Sequence, residues 1–213
     1  MKRPFWMIAP FAMWMALMAA LPATATAYAV RTAATAAMLV VGWRQGLKTL
    51  DERRETCSSS KDSSPLKSSV SRLKSSFLPG LLVGLAVFAI WILPEQFDIP
   101  FYRRFCIIGE GGTQAVAEAS AAMIAIRLIG SAFVISVAEE LFFRKWLISF
   151  AGFWWMVALF AIEHDRWLVG AIAGAVYGLL YLRKGLLAAI VAHATTNLVL
   201  GLWVLESGQW QFW

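Results

Sequence analysis

The feature that most constrains this chain is a series of long apolar runs, starting at residues 5–21 and 27–43 and recurring to residue 205. Several approach the ~20 apolar residues that a helix needs to cross a bilayer. In lipid each backbone polar group must find its partner within the segment, so such runs become helices. Composition points the same way. The 213 residues are 60% hydrophobic and 15% charged, where a soluble domain is about half apolar and a quarter charged. The expected fold is all-α, a polytopic transmembrane helical bundle of about seven spans. These fall at residues 5–21, 27–43, 77–93, 119–148, 153–164, 167–182 and 186–205.

Four regions follow from the pattern. Residues 1–43 read as an N-terminal transmembrane hairpin. The start Met1-Lys2-Arg3, the apolar run and Ala23-Thr24-Ala25 also suit a signal peptide. The length of the run and the membrane sequence after it favour a retained first span. Arg31 is expected near the outer end of the second span, where it can snorkel to the interface. Residues 44–76 carry eight Lys/Arg against four Asp/Glu, and ten serines between Ser58 and Ser76. This segment cannot bury a core and is expected to be a flexible loop. Its positive excess places it, with Lys2 and Arg3, in the cytoplasm. Residues 77–118 read as a third span, ending at Pro94, and an outer loop. Residues 119–213 hold the remaining helices and nearly all the polar groups inside apolar sequence.

The net charge of +6 fits basic cytoplasmic loops, and no nucleic-acid partner is expected. Cys57 and Cys106 form no CxxC pair, so neither a disulfide framework nor a thiol site is inferred. Eleven Trp fit interfacial belts, and the ending Gly208-Gln-Trp-Gln-Phe-Trp213 reads as an interfacial anchor. Gly170, Gly174 and Gly178 make a smooth face on which a neighbouring helix can pack.

Ionisable residues inside membrane sequence usually face a bundle interior or a water cavity. Three clusters qualify. Glu140 and Arg144 stand at i and i+4, so they can pair. Glu139 is turned about 100° away. In FAIEHDRW (160–167), Phe160 and His164 share a helix face. In AHATTN (192–197), His193 and Asn197 do the same within an apolar helix. Each cluster has a plain alternative: the wet end of a span, an interfacial turn, a packed histidine. Together, two acids, two histidines and an amide can polarise water and stabilise an oxyanion. HExxH and GxSxG are both missing from the sequence, which leaves a carboxylate-activated water.

EELFFR (139–144), FAIEH (160–164) and HATTN (193–197) fit EExxxR, FxxxH and HxxxN in order. This trio resembles the CAAX prenyl protease and bacteriocin-processing (CPBP, or Abi) family of glutamic intramembrane proteases. The wider resemblance runs over about residues 119–205. EHDRWLVGAIAGAVYGLLYLRKG, together with the FW ending, further resembles the CAAX protease-related branch of bacteria with exosortase sorting systems. The resemblance implies an intramembrane endopeptidase, multi-pass in a bacterial inner membrane. Its partners would be a membrane-associated protein or peptide substrate and, on that branch, exosortase-type sorting machinery. Glu139 would act as general base with His164, Glu140 would be held by Arg144, and His193 and Asn197 would bind the oxyanion. Glu163 is a rival base without a counterpart in the motif. No cofactor is required on this reading. Zinc stays an alternative, since two His and a Glu are among its usual donors. The rival functions are a non-catalytic immunity or scaffold relative and a proton-coupled transporter. Charge-based topology places His164 on the far side from Glu139 and His193, at the end of a span of about 12 residues. Only a buried half-helix would bring it to them.

Overall fold

A computed structural model describes residues 3–47, 65–108 and 120–212, and these are almost entirely helical. The helices are α1 (Arg3–Ala20), α2 (Ala25–Gly42), α3 (Pro65–Gln96), α4 (Pro100–Phe105), α5 (Ala121–Ala151), α6 (Phe153–Ile162), α7 (Trp167–Lys184) and α8 (Leu186–Ser207). A short 3-10 turn follows at Trp210–Phe212. Ala25–Gln45, Ser75–Gln96, Ala121–Ala151 and Leu186–Ser207 are each long and apolar enough to cross a membrane. The fold is thus the all-α membrane bundle that the apolar runs require.

Two boundaries differ from expectation. Residues 65–76, placed in the flexible loop, are the first turns of α3. Their Lys and Ser content hides a helix that extends beyond its apolar part. Pro94 lies inside α3, which runs on to Gln96. Residues 44–47 of the expected loop continue from α2 as a π-helical turn, residues 48–64 with Cys57 lie outside the described residues, and so do residues 109–118 of the outer loop.

Aromatic side chains join the N-terminal hairpin to the bundle. Trp14 of α1 meets Tyr28 of α2 edge-on at 5.3 Å, and Phe11 of α1 packs on Phe142 and Phe143 of α5 at 4.7 and 5.2 Å. Arg31 does not snorkel outward. It is nine-tenths buried, with its guanidinium against the Trp14 and Tyr28 rings. α1 covers the face from which it would have left.

The C-terminal core is drawn tight by small residues. Gly170, Gly174 and Gly178 of α7 face His164, Phe160 and the pair Met156 and Phe153. The expected smooth face therefore receives α6 and the turn after it. α6 is only ten residues long, about 15 Å at 1.5 Å per residue and half of a hydrocarbon core. Gly152 (φ 94°) and Gly185 (φ 89°) make the one-residue turns before α6 and before α8. That region of φ suits glycine because it has no Cβ.

α3 runs along α8 with Gly80 and Gly84 at the contact. A Cβ on Gly84 would lie 2.5 Å from the Ala192 carbonyl oxygen and 2.6 Å from Thr195 Cβ. The Gly84 carbonyl also accepts from Thr196 Oγ1 at 2.8 Å. Adding volume here must push α3 away from the helix that carries His193. Gly84→Val is expected to cost about 1–3 kcal/mol, a fall in thermal midpoint of roughly 2–10 °C. Thermal unfolding in detergent measures it. An unchanged midpoint would mean that the two helices do not touch there.

Candidate active site

The site is built on irregular stretches of α5. Residues Gly130–Ile135 and Glu140–Leu147 are π-helical, joined by one α turn at Ser136–Glu139. A π turn holds an extra residue and often marks a functional segment. The second stretch begins at Glu140, next to Glu139.

Glu140 and Arg144 are both fully buried and paired, Oε1 to Nη1 at 3.1 Å. The Arg144 guanidinium lies 4.2 Å from the Phe160 ring centroid and 5.5 Å from that of Tyr177. Aromatic faces thus take up part of a cation that would otherwise be costly to bury. The same Glu140 oxygen receives His193 Nδ1 from α8 at 2.8 Å. A carboxylate only accepts, so Nδ1 carries the proton and Nε2 is turned away from Glu140. His193 Nε2 lies 3.7 Å from Glu139 Oε2. Tyr177 stacks on the His193 ring at 5.2 Å and donates to Thr196 Oγ1 at 2.6 Å.

His164 reaches the same place from the turn that follows α6. Its Nδ1 donates to the Phe160 carbonyl at 2.7 Å, which leaves Nε2 as the acceptor of the neutral ring. Its ring packs on Phe160 at 4.6 Å and on Trp91 of α3 at 5.4 Å. The turn that carries it is tied down on three sides. Arg166 is ion-paired with Glu95, Asp165 accepts from the Ile108 amide, and Trp167 Nε1 donates to the Phe105 carbonyl. Nearby in α4, burial pushes the Tyr102 phenol up to about 12, so it stays neutral beside Arg166.

Glu139, His164, His193 and Asn197 line one cavity of about 190 Å³. Trp91, Phe160, Tyr177, Leu200 and Phe212 supply its apolar walls, with Ser131, Ala173 and Thr196 between them. The volume is enough for water together with a large side chain. Glu140 and Arg144 sit behind it as the support for His193. The half-helix is thus the geometry that unites the three motifs. Glu163 lies close enough to Glu139 and Arg144 to interact electrostatically, with its Oε2 buried and unpartnered. It is not among the cavity-lining residues.

Asn197 stands differently from what the resemblance implies. Its Nδ2 donates to the Ser131 carbonyl at 3.0 Å and to Ser136 Oγ at 3.2 Å. Both N–H groups are thereby engaged in bracing the first π-helical stretch, and the amide would have to leave them to meet an oxyanion. Ser131, Ser136, Tyr177, Thr196 and Trp91 were not singled out in the sequence. A lone small hydroxyl or aromatic in an apolar helix gives no spacing signal. Phe212 departs from the interfacial role given to the ending: it is buried, against Trp203 and under Arg166.

Among the described residues no group of three or more His, Cys, Asp or Glu side chains is placed to hold one metal ion.

Removing one member of a buried ion pair strands the other, at about 3–5 kcal/mol. Arg144→Met is expected to destabilise the protein by that amount. Adding Glu140→Gln should restore part of the loss, because no unpaired carboxylate then remains. Chemical unfolding of the two variants decides it. A double variant less stable than the single one would refute the pairing.

Residues 120–199 match the family model of type II CAAX prenyl endopeptidase Rce1-like proteins. No curated protein and no solved structure matches the chain. The matched segment runs from the start of α5 well into α8 and contains all three motifs. This part of the chain is similar to CAAX-type membrane endopeptidases, which supports the CPBP resemblance at the level of the family.

Proposed function

We propose that the protein is an intramembrane endopeptidase of the CAAX protease type, which hydrolyses a peptide bond of a membrane-associated substrate. One observation carries this reading: Glu139 of α5, His164 of the turn after α6 and His193 of α8 line a single cavity among membrane helices.

The chemistry follows from the hydrogen bonds. Water held by Glu139 and the free Nε2 of His164 loses a proton to Glu139 as its oxygen attacks the scissile carbonyl carbon. Negative charge then develops on the carbonyl oxygen. His193 can donate to it from Nε2 only when both ring nitrogens carry protons. Glu140 lies on one of its ring nitrogens and Glu139 near the other. Collapse of the intermediate breaks the C–N bond, and the proton on Glu139 passes to the departing amine. Arg144 holds Glu140 in place. Asn197 braces the π-helical stretch, and its Oδ1 is left to accept from the substrate. The aromatic walls suit a bulky apolar residue beside the scissile bond. No metal enters any step.

The positive charge of residues 44–76 and of Arg183-Lys184 supports a cytoplasmic N-terminus in a bacterial inner membrane. An exosortase-linked substrate remains part of the proposal through the sequence resemblance alone.

The test is cleavage of membrane-anchored peptides by reconstituted protein. Glu139→Gln and His164→Ala are each expected to lower the rate by about 10²–10⁴, the usual contribution of a general base. A chelator should leave the wild-type rate unchanged. Full activity of Glu139→Gln would overturn the site. Loss with chelator and recovery with zinc would overturn the metal-free step.

A further inference from the structure

One part of the cavity wall comes from beyond the last long helix. Gly208 (φ 68°) ends α8 and turns the chain. The 3-10 turn Trp210–Phe212 then brings Phe212 into the cavity lining, beside Trp91 and Leu200. Phe212 is the one buried side chain of that turn.

Three fastenings hold its ring. The Arg166 guanidinium carbon lies 4.5 Å from the ring centroid, and Arg166 is itself fixed by its buried ion pair with Glu95. Trp203 meets the ring edge-on at 5.4 Å. Gln96 and Gln209 exchange side-chain amide bonds, Nε2 to Oε1 at 2.8 Å one way and 3.5 Å the other. Glu95 and Gln96 are the last two residues of α3, one turn beyond Trp91. The same helix end therefore carries one aromatic wall and clamps the other. A buried ion pair has a large desolvation cost, and here it bears directly on a ring that faces the cavity.

This wall adjoins the reacting groups. Trp91 is also edge-on to the His164 ring at 5.4 Å. When a scissile carbonyl stands beside water held by His164 and Glu139, the neighbouring substrate side chain lies against Trp91 and Phe212. A ring fastened on three sides cannot swing away to admit a larger group.

We propose that Phe212 is a specificity-determining residue: its ring sets the upper size of the apolar side chain accepted beside the scissile bond. The inference rests on the peptidase reading of the same cavity. In an apolar pocket, a mismatch of a single methylene already changes kcat/KM by about 10–200-fold.

The test uses the full chain reconstituted in liposomes with a set of membrane-anchored peptides. Each position in turn carries Ala, Val, Leu, Phe or Trp. Mass spectrometry of the products locates the cut, and kcat/KM is compared across the set. At one position flanking the cut, Phe212→Ala is expected to raise the ratio of Trp to Val peptides by at least about tenfold, and Phe212→Trp to lower it by a similar factor. A role in packing alone would slow all peptides alike and would not move the two variants in opposite directions. Thermal midpoints establish that the variants are folded, and Phe212→Leu replaces Phe212→Ala if the latter is not. Unchanged preference in folded variants, with cleavage that still depends on Glu139, overturns the proposal and leaves the peptidase reading standing. Full cleavage by Glu139→Gln, or none by the wild type, overturns both.

Discussion

The structure depends on one buried ion cluster, in which Glu140 holds Arg144 on one side and His193 on the other. Glu140 and Arg144 are fully buried and His193 nearly so, so removing one strands the others. The cluster ties α5 to α8 across 53 residues of sequence. It also fixes which nitrogen of His193 carries the proton toward Glu140. The aromatic rings of Phe160 and Tyr177 complete the enclosure by offering their faces to the guanidinium and the imidazole. Glu139, one residue earlier, is then the acid that remains turned to the cavity.

Around this cluster, packing sets distances that side-chain chemistry alone could not. The glycine face of α7 lets α6 come close enough for Phe160 to lie over Arg144 while His164 stands over Gly170. Glu95, Phe105 and Ile108 hold the turn that follows. A short helix with both ends anchored can carry a histidine into the middle of a bundle. A full span would have delivered it to the opposite surface.

Much of this was legible in the sequence. The apolar runs announced the helices, and the i, i+4 spacing announced the Glu140–Arg144 pair. The glycine repeat announced a close helix contact. The rest was hidden for physical reasons. Nothing in residues 130–147 demands π-helical geometry, which arises from tertiary packing. The bracing of Asn197 involves Ser131, 66 residues away, and no local spacing encodes it. Residues 65–76 have the composition of a solvated loop yet continue a helix already fixed by its apolar half. Arg31 sits where a snorkelling arginine would be expected, and only the position of Trp14 in α1 reveals that its way out is covered.

The cavity is assembled from two sources. Its ionisable groups belong to the segment with family likeness, residues 120–199, whereas Trp91, Leu200 and Phe212 come from outside it. On the proposed peptidase reading, two chains with the same motif trio would share Phe160 and Tyr177 beside their ionisable groups and differ in the bulk that the positions of Trp91, Leu200 and Phe212 present to the cavity.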